Sequence, residues 1–272
     1  MTTAAELQLG DHVCLPFGAD EQLQCHISDF TAAGLADRQQ IMVFTRAVTV
    51  ADMADWLRRQ NRAFAAALDA GQLQVHRPDD VHLSGGYFDQ HRMMATFVQA
   101  TDQAYADGYS GLRATVDMTW ALRDVPGVEQ LFDFEAAANR LFTDRRLIGV
   151  CAYDRRRFDA ASMERACAAH PITPGLSMLR CAEVPGAGLA LEGEADMANR
   201  NAMAALLGCL PDADATLDLT GLTFADAASL GLLMQLATRR AHRITVCCTA
   251  RMARILRLID LDQVASINVV DS

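Results

Sequence analysis

His12 and Cys14 stand two residues apart in the run His12-Val-Cys-Leu-Pro-Phe17. On a strand that spacing turns both side chains to one face, and in a parallel sheet the expected place for them is the crevice at the carboxyl end. An imidazole beside a thiol could ligate a soft metal or form a nucleophile and base. A metal would need further donors. Cys25-His26 could add them in principle, but no second pair with ligand spacing appears. Thiol catalysis would need a third, orienting group, and none is identifiable; neighbours on one strand face also sit too far apart for dependable proton transfer. No metal, cofactor or catalytic residue is therefore assigned, and His12 and Cys14 are read as the wall of a ligand pocket. Trp120, Tyr153 and the pair Met93-Met94 suit the apolar remainder of such a pocket, or plain core. Asp117 closes an apolar strand as a magnesium-binding aspartate would, and is either a pocket residue or a structural one. His170, three after Cys167, reads as a helix-end residue.

Composition narrows the chemistry further. The 34 acidic and 24 basic residues leave a net charge of -10, which repels nucleic acid and anionic lipid surfaces. Every basic residue is arginine. Schiff-base lysines, lysine general bases and phosphate-binding-loop lysines are thereby excluded. The eight cysteines form no C-x-x-C pair and read as mostly buried thiols. No apolar run reaches the length of a membrane helix, and the opening Met1-Thr-Thr-Ala-Ala-Glu6 lacks the features of a signal peptide, so the expected location is the cytoplasm.

The elements that would position these residues alternate. Strands are expected at 12–17, 41–45, 73–76, 112–117 and 147–153, with helices at about 20–36, 49–69, 89–107, 128–142 and 160–169. Such alternation predicts a mostly parallel sheet with helices on both faces. Residues 171–188, rich in proline and glycine, read as a linker or connecting hairpin. Beyond it, four strands (188–193, 216–220, 244–248, 266–270) and three helices (196–209, 227–241, 250–259) make a smaller α/β unit. The boundary is expected near 178, giving units of 1–178 and 179–272.

The most specific segment of the second unit is Leu217-Asp-Leu-Thr-Gly-Leu-Thr-Phe-Ala-Asp-Ala-Ala-Ser-Leu-Gly-Leu-Leu233. It resembles the STAS domain of bacterial anti-sigma-factor antagonists, over residues 180 to 272. In that family the turn reads Asp-Ser-Ser-Gly and its first serine is phosphorylated by an anti-sigma factor that is also a serine kinase. Asp226 matches the aspartate, Ala227 falls where the phosphorylated serine belongs, and Ser229 replaces the glycine. The resemblance implies partner binding through Asp226, Ala227 and Ser229 without phosphorylation at the usual serine. Asp226 could equally be an ordinary helix cap.

The first unit carries Gly10-Asp-His-Val-Cys14, Gly108-Tyr-Ser-Gly-Leu-Arg113, Asp117-Met-Thr-Trp120 and Cys151-Ala-Tyr-Asp-Arg-Arg-Arg-Phe158, closed by His170-Pro171. These resemble the MEDS domain, a sensory domain first described in a dichloromethane-responsive regulator, over about residues 8 to 175. Asp117 stands where that family usually has glutamate and Ala152 where glutamine is common. The resemblance implies a RecA/KaiC-like fold and a small apolar ligand. Gly18-Ala-Asp-Glu-Gln-Leu-Gln24, in the place of a phosphate loop, has one glycine, no lysine and two carboxylates, which argues against ATP.

The combined expectation is a cytoplasmic, non-enzymatic signalling regulator: a small-ligand sensory unit controls a STAS-like unit that binds an anti-sigma factor or serine kinase. The rival is a degenerate nucleotide-binding protein or enzyme using Asp117 and Asp20-Glu21 around a metal.

Overall fold

The computed structural model describes residues 4–271 apart from Ala47, His82, Ser84, Ala187 and Ala265; the first half of the Met1–Glu6 segment lies outside it. The first unit opens with β1 (His12–Phe17), α1 (Asp20–Ala36), β2 (Gln40–Phe44), α2 (Val50–Gln60), α3 (Arg62–Asp69), β3 (Leu73–His76) and a single turn α4 (Pro78–Val81). It continues with α5 (Gln90–Ala106), β4 (Leu112–Asp117), α6 (Leu131–Ala138), β5 (Leu147–Asp154), α7 (Ala160–Ala169) and the short β6 (Ile172–Thr173). Then follow β7 (Ser177–Val184), β8 (Gly188–Ala195), α8 (Arg200–Leu207), β9 (Ala215–Asp218), β10 (Leu222–Ala225), α9 (Ala227–Arg239), β11 (Ile244–Cys248), α10 (Ala250–Leu258) and β12 (Ile267–Asp271).

The strands run in the order β12-β11-β9-β8-β7-β6-β1-β5-β4-β2-β3, with β10 added beside β8. Among the described residues every pairing is parallel except those of β7, which runs against both β6 and β8. The mostly parallel α/β sheet and the smaller α/β region behind it agree with expectation.

Alternation along β1 and β5 decides which helices meet which residues. Val13, Ile148 and Val150 face a core completed by Ile27 and Phe30 of α1, Leu57 of α2 and Phe64 of α3. Cys14, Cys151 and Tyr153 face the other way, toward Met93 of α5, Phe134 of α6 and Ala166 of α7. β4 and β5, covered on both faces, are buried at every residue and mostly apolar, and the polar exceptions on β4 (Arg113, Thr115 and Asp117) are hydrogen-bonded. A separate core, from Leu179 to Leu261, joins β7 to β11 with α8, α9 and α10.

Two expectations need correction. The helix expected over 49–69 is two, because Asn61 adopts an extended conformation (φ -156°, ψ 136°) and caps α3 by accepting from the Ala63 N–H. Of the two readings of residues 171–188 the hairpin agrees with the structure and the linker does not: residues 177–184 form β7, antiparallel to both β6 and β8, and its alternation of buried Ser177, Leu179 and Cys181 with more exposed neighbours is hidden by the flanking prolines and glycines. β10 was also missed, since Leu222-Thr-Phe-Ala buries only its first side chain fully.

Among the described residues of the first unit one guanidinium is wholly buried. Arg113 on β4 donates to Gln39 Oε1 at 2.7 Å, to the Ala4 carbonyl at 3.2 Å and to the Phe30 carbonyl at 3.4 Å, and stacks 4.8 Å from the centre of the Phe30 ring. Burial lowers its pKa to about 10, against the opposing pull of Asp37 and Asp11, so it stays charged at neutral pH. The Arg113→Ala variant is expected to lose about 3 kcal/mol in urea denaturation, because buried acceptors are left unmade around a hole. A loss under about 1 kcal/mol would show that these bonds contribute little net stability.

Candidate functional site

The side chains with reactive chemistry meet on the α6–α7 face of the sheet. β1 and β5 run parallel with Cys14 opposite Cys151 and Pro16 opposite Tyr153, so His12, Cys14, Cys151 and Tyr153 share that face. On α6 the buried positions are Leu131, Phe134, Glu135 and Ala138, an i, i+3, i+4, i+7 stripe in which Glu135 takes an apolar residue's place. Its carboxylate, 2% exposed, lands over β1 and β5. The end of α7 adds His170, 0% exposed.

The contacts converge on one oxygen. Glu135 Oε2 lies 3.4 Å from His12 Nε2, 3.5 Å from His170 Nε2 and 3.6 Å from Cys151 Sγ, and Cys151 Sγ lies 3.7 Å from His12 Nε2. The other oxygen, Oε1, accepts the Tyr153 hydroxyl at 2.9 Å. Both imidazoles are oriented from behind. The Asn139 amide donates to the Ala136 and Ala169 carbonyls, which turns its Oδ1 toward His12 Nδ1 at 2.8 Å. His170 Nδ1 lies 2.7 Å from the Ala166 carbonyl, an acceptor only. Both rings therefore carry hydrogen on Nδ1 and aim Nε2 at the carboxylate. Phe142 stacks on His12 at 4.4 Å and 8°, an approach open because residue 149 is glycine: a Cβ there would stand 2.7 Å from the Phe142 ring.

Burial would raise the Glu135 pKa, but His170, His12 and the Tyr153 hydroxyl together outweigh it and hold the carboxyl at about 2. Burial, and then the neighbouring Glu135 charge, push the Cys151 thiol and the Tyr153 phenol well up. His170 is pushed down to about 4 by burial and by His12, against the pull of Glu135. The carboxylate thus favours a cation beside it while burial disfavours a protonated imidazole. Among the described residues His12, Glu135, Cys151 and His170 form the group able to hold a metal ion, their donor atoms lying within 4.8 Å of one another.

Next to this cluster is a cavity of about 50 Å³, with His12, Glu135 and Cys151 on its wall and Met93, Phe97, Ala114, Trp120 and Phe134 among its apolar lining. That exceeds the roughly 10–15 Å³ a water needs and falls below the roughly 150 Å³ of a cavity that takes benzene. It suits a molecule of a few heavy atoms.

The residues singled out from the sequence divide accordingly. His12 and Trp120 line the cavity, and Tyr153 holds the carboxylate. His12 and Cys14 do share a face, but not at the carboxyl end of the sheet: His12 is the first residue of β1, and helix packing encloses it. Cys14 points beside Cys167 rather than into the cavity; burial and that contact push its thiol up, while Cys14 brings Cys167 down to about 7. Asp117 caps the turn after β4, accepting from the Thr119 and Arg46 N–H groups, and does not line the cavity. Cys25 is exposed, and His26 bonds Thr115 and packs on Phe30, across the sheet from His12. Glu135, Cys151 and Asn139 were missed; the one sequence signal was an acid on the apolar stripe of a helix.

In the second unit Asp226 caps α9, accepting from the Ser229 N–H at 2.7 Å. Ala227 is exposed and Ser229 fully buried, while Thr223 is exposed with its hydroxyl donating to the Gly193 carbonyl. Phe224, two residues before the cap, is half exposed.

The family model described as MEDS, the MEthanogen/methylotroph, DcmR Sensory domain, matches residues 11–171, and a STAS domain model described as Mlab, STAS domain matches residues 183–270. No curated protein matches the chain. Among solved structures the fold is similar to flagellar accessory protein FlaH from Methanocaldococcus jannaschii at 11% identity and a TM-score of 0.44, covering 66% of this chain and 75% of that one.

The Tyr153→Phe variant keeps the ring and removes only the donor to Glu135. It is expected to lose about 1.5–3 kcal/mol by denaturant titration, the usual worth of a bond to a charged group. An unchanged midpoint would contradict the assigned role.

Proposed function

We propose, from the premise that the chain belongs to the family of MEDS sensory domains and carries a STAS domain behind it, that it is a cytoplasmic, non-enzymatic regulator in which a small apolar ligand controls protein binding by the STAS surface. Residues 1–178 and 179–272 act as its two units. The observation that carries this reading is the cavity beside the Glu135 cluster, bounded by α6, whose Glu135 in turn meets His170 at the end of α7. Both helices pack against α8 of the second unit, and α8 packs against α9, which Asp226 caps. A ligand that repositions α6 or α7 therefore has a packed route to the partner surface. Control also requires the ligand to bind one arrangement better than the other.

Further contacts tie the units together. Arg180 of β7 holds the buried Asp11 carboxylate through two bonds at 2.9 and 3.1 Å, and Thr143 donates to Glu183 at 2.7 Å. The loop before α1 supports a non-enzymatic role. Gln22 Oε1 accepts the Gly18 and Ala19 N–H groups, and Asp20 pairs with Arg156, so the chain's own side chains take up the donors and charge a phosphate would use. Among the described residues no helix is long and apolar enough to cross a membrane.

The STAS partner is an anti-sigma factor or serine kinase, met at Asp226, Ala227 and the exposed Phe224. Ala227 offers no hydroxyl, and Ser229 is enclosed, so control by phosphate at the usual place is absent from this reading.

Two experiments test it. Dichloromethane or xenon, as a cavity probe, is expected to raise the melting temperature of the wild type but not of Ala114→Leu, whose side chain fills the site; equal shifts in both would contradict a ligand in this cavity. Pull-down with Asp226→Lys is expected to lose an anti-sigma kinase that the wild type retains. Stoichiometric phosphate on Ser229 or Thr223 after incubation with that kinase would overturn phosphate-independent control.

A further inference from the structure

We propose that His12, His170, Glu135 and Cys151 bind a divalent transition metal, zinc(II) in the first instance, in a tetrahedral two-nitrogen, one-oxygen, one-sulfur site. With bonds of about 2.0–2.1 Å to nitrogen and oxygen and about 2.3 Å to sulfur, tetrahedral donors stand about 3.3 Å apart, and about 3.6 Å where sulfur is one of the pair. The measured separations are 3.4 and 3.5 Å from Glu135 Oε2 to the two Nε2 atoms, and 3.6 and 3.7 Å from Cys151 Sγ to Oε2 and to His12 Nε2. Four of the six edges already have the required length. The donors belong to β1, β5, α6 and the end of α7, all regular and packed elements.

The surroundings are those of ligands, not of a closed hydrogen-bond network. Each imidazole uses its Nδ1 hydrogen on a fixed acceptor, Asn139 Oδ1 or the Ala166 carbonyl, which leaves the Nε2 lone pair facing inward. His170 Nε2, fully buried, closes no hydrogen bond. The Cys151 thiol stands against His12 Nε2 and Glu135 Oε2, whereas the His170 Nε2 lone pair faces that carboxylate oxygen at 3.5 Å with no hydrogen between them, a repulsion that a cation there would remove. Tyr153 holds the oxygen that faces away, as outer-shell donors do for metal-bound carboxylates. Charge balances as well: two positive charges meet the Glu135 carboxylate and the Cys151 thiolate, whose proton leaves to solvent on binding, and the imidazoles stay neutral. Zinc suits a mixture of nitrogen, oxygen and thiolate donors better than magnesium or calcium does.

The site stands independently of whether the adjoining cavity takes a ligand. The test uses untagged, full-length protein stripped by a chelator and titrated with cobalt(II). Wild type is expected to bind one equivalent with intense visible bands of tetrahedral cobalt and a near-ultraviolet sulfur-to-cobalt band, both lost on adding zinc(II). Cys151→Ser is expected to keep the visible bands and lose the sulfur band, and Asn139→Ala to weaken binding by about 10-fold. A pale octahedral spectrum, or a sulfur band that survives in Cys151→Ser, would overturn the proposal. Should Cys151→Ser fail to fold, X-ray absorption of zinc-loaded wild type decides: one sulfur and two imidazoles in the inner shell support the site, and an inner shell without sulfur overturns it.

Discussion

A carboxylate enclosed by protein must be met by donors or a cation, and Glu135 imposes that demand where β1, β5, α6 and α7 converge. Much of the local architecture follows from meeting it. Tyr153 and Cys151 approach from β5, His12 from the start of β1 and His170 from the end of α7. Asn139, just past α6, orients His12 and at the same time ties down the carbonyl that ends α7. Gly149 is the absence this arrangement needs, since any side chain there would displace the Phe142 ring from His12. Apolar residues could hold these elements together as firmly, so stability alone does not account for the polar cluster.

The proposed control of the second unit by the first would run through the same elements. Glu135 and His170 sit on the two helices that touch α8, so a change in their spacing is a change in the floor of the second unit. Interfaces of this kind respond by small discrete shifts of packed helices. The pair of bonds between Arg180 and Asp11 and the antiparallel β7 keep the units in one continuous sheet, which favours sliding at the helix layer over free rotation.

Legibility followed the range of the interactions. The period of two that puts His12 and Cys14 on one face is local, and so is the cap made by Asp226; both could be read directly. The break at Asn61 is equally local, but the apolar spacing runs on across it and hides the cap. Glu135 was different. Its helical stripe shows that it faces inward, but which strands it faces depends on the packing of α6 over β5, and no spacing encodes that. The partners His12, Glu135, Cys151 and His170 span most of the first unit, so a search for ligand pairs close in sequence had to miss them. Asp117 is a different case: its place at a strand end suits a pocket or a structural residue alike, and its bonds to the Thr119 and Arg46 N–H groups come from the fold, not from its spacing.

Control of the second unit by the first requires the buried site of the one and the partner surface of the other to be energetically coupled. Hydrogen exchange of the full-length protein, with and without a saturating cavity probe, measures this directly. Coupling of this kind alters protection in α6 and α7 and continues through α8 into the first turn of α9. Changes confined to the first unit, with α8 and α9 exchanging at the same rates in both states, would contradict it.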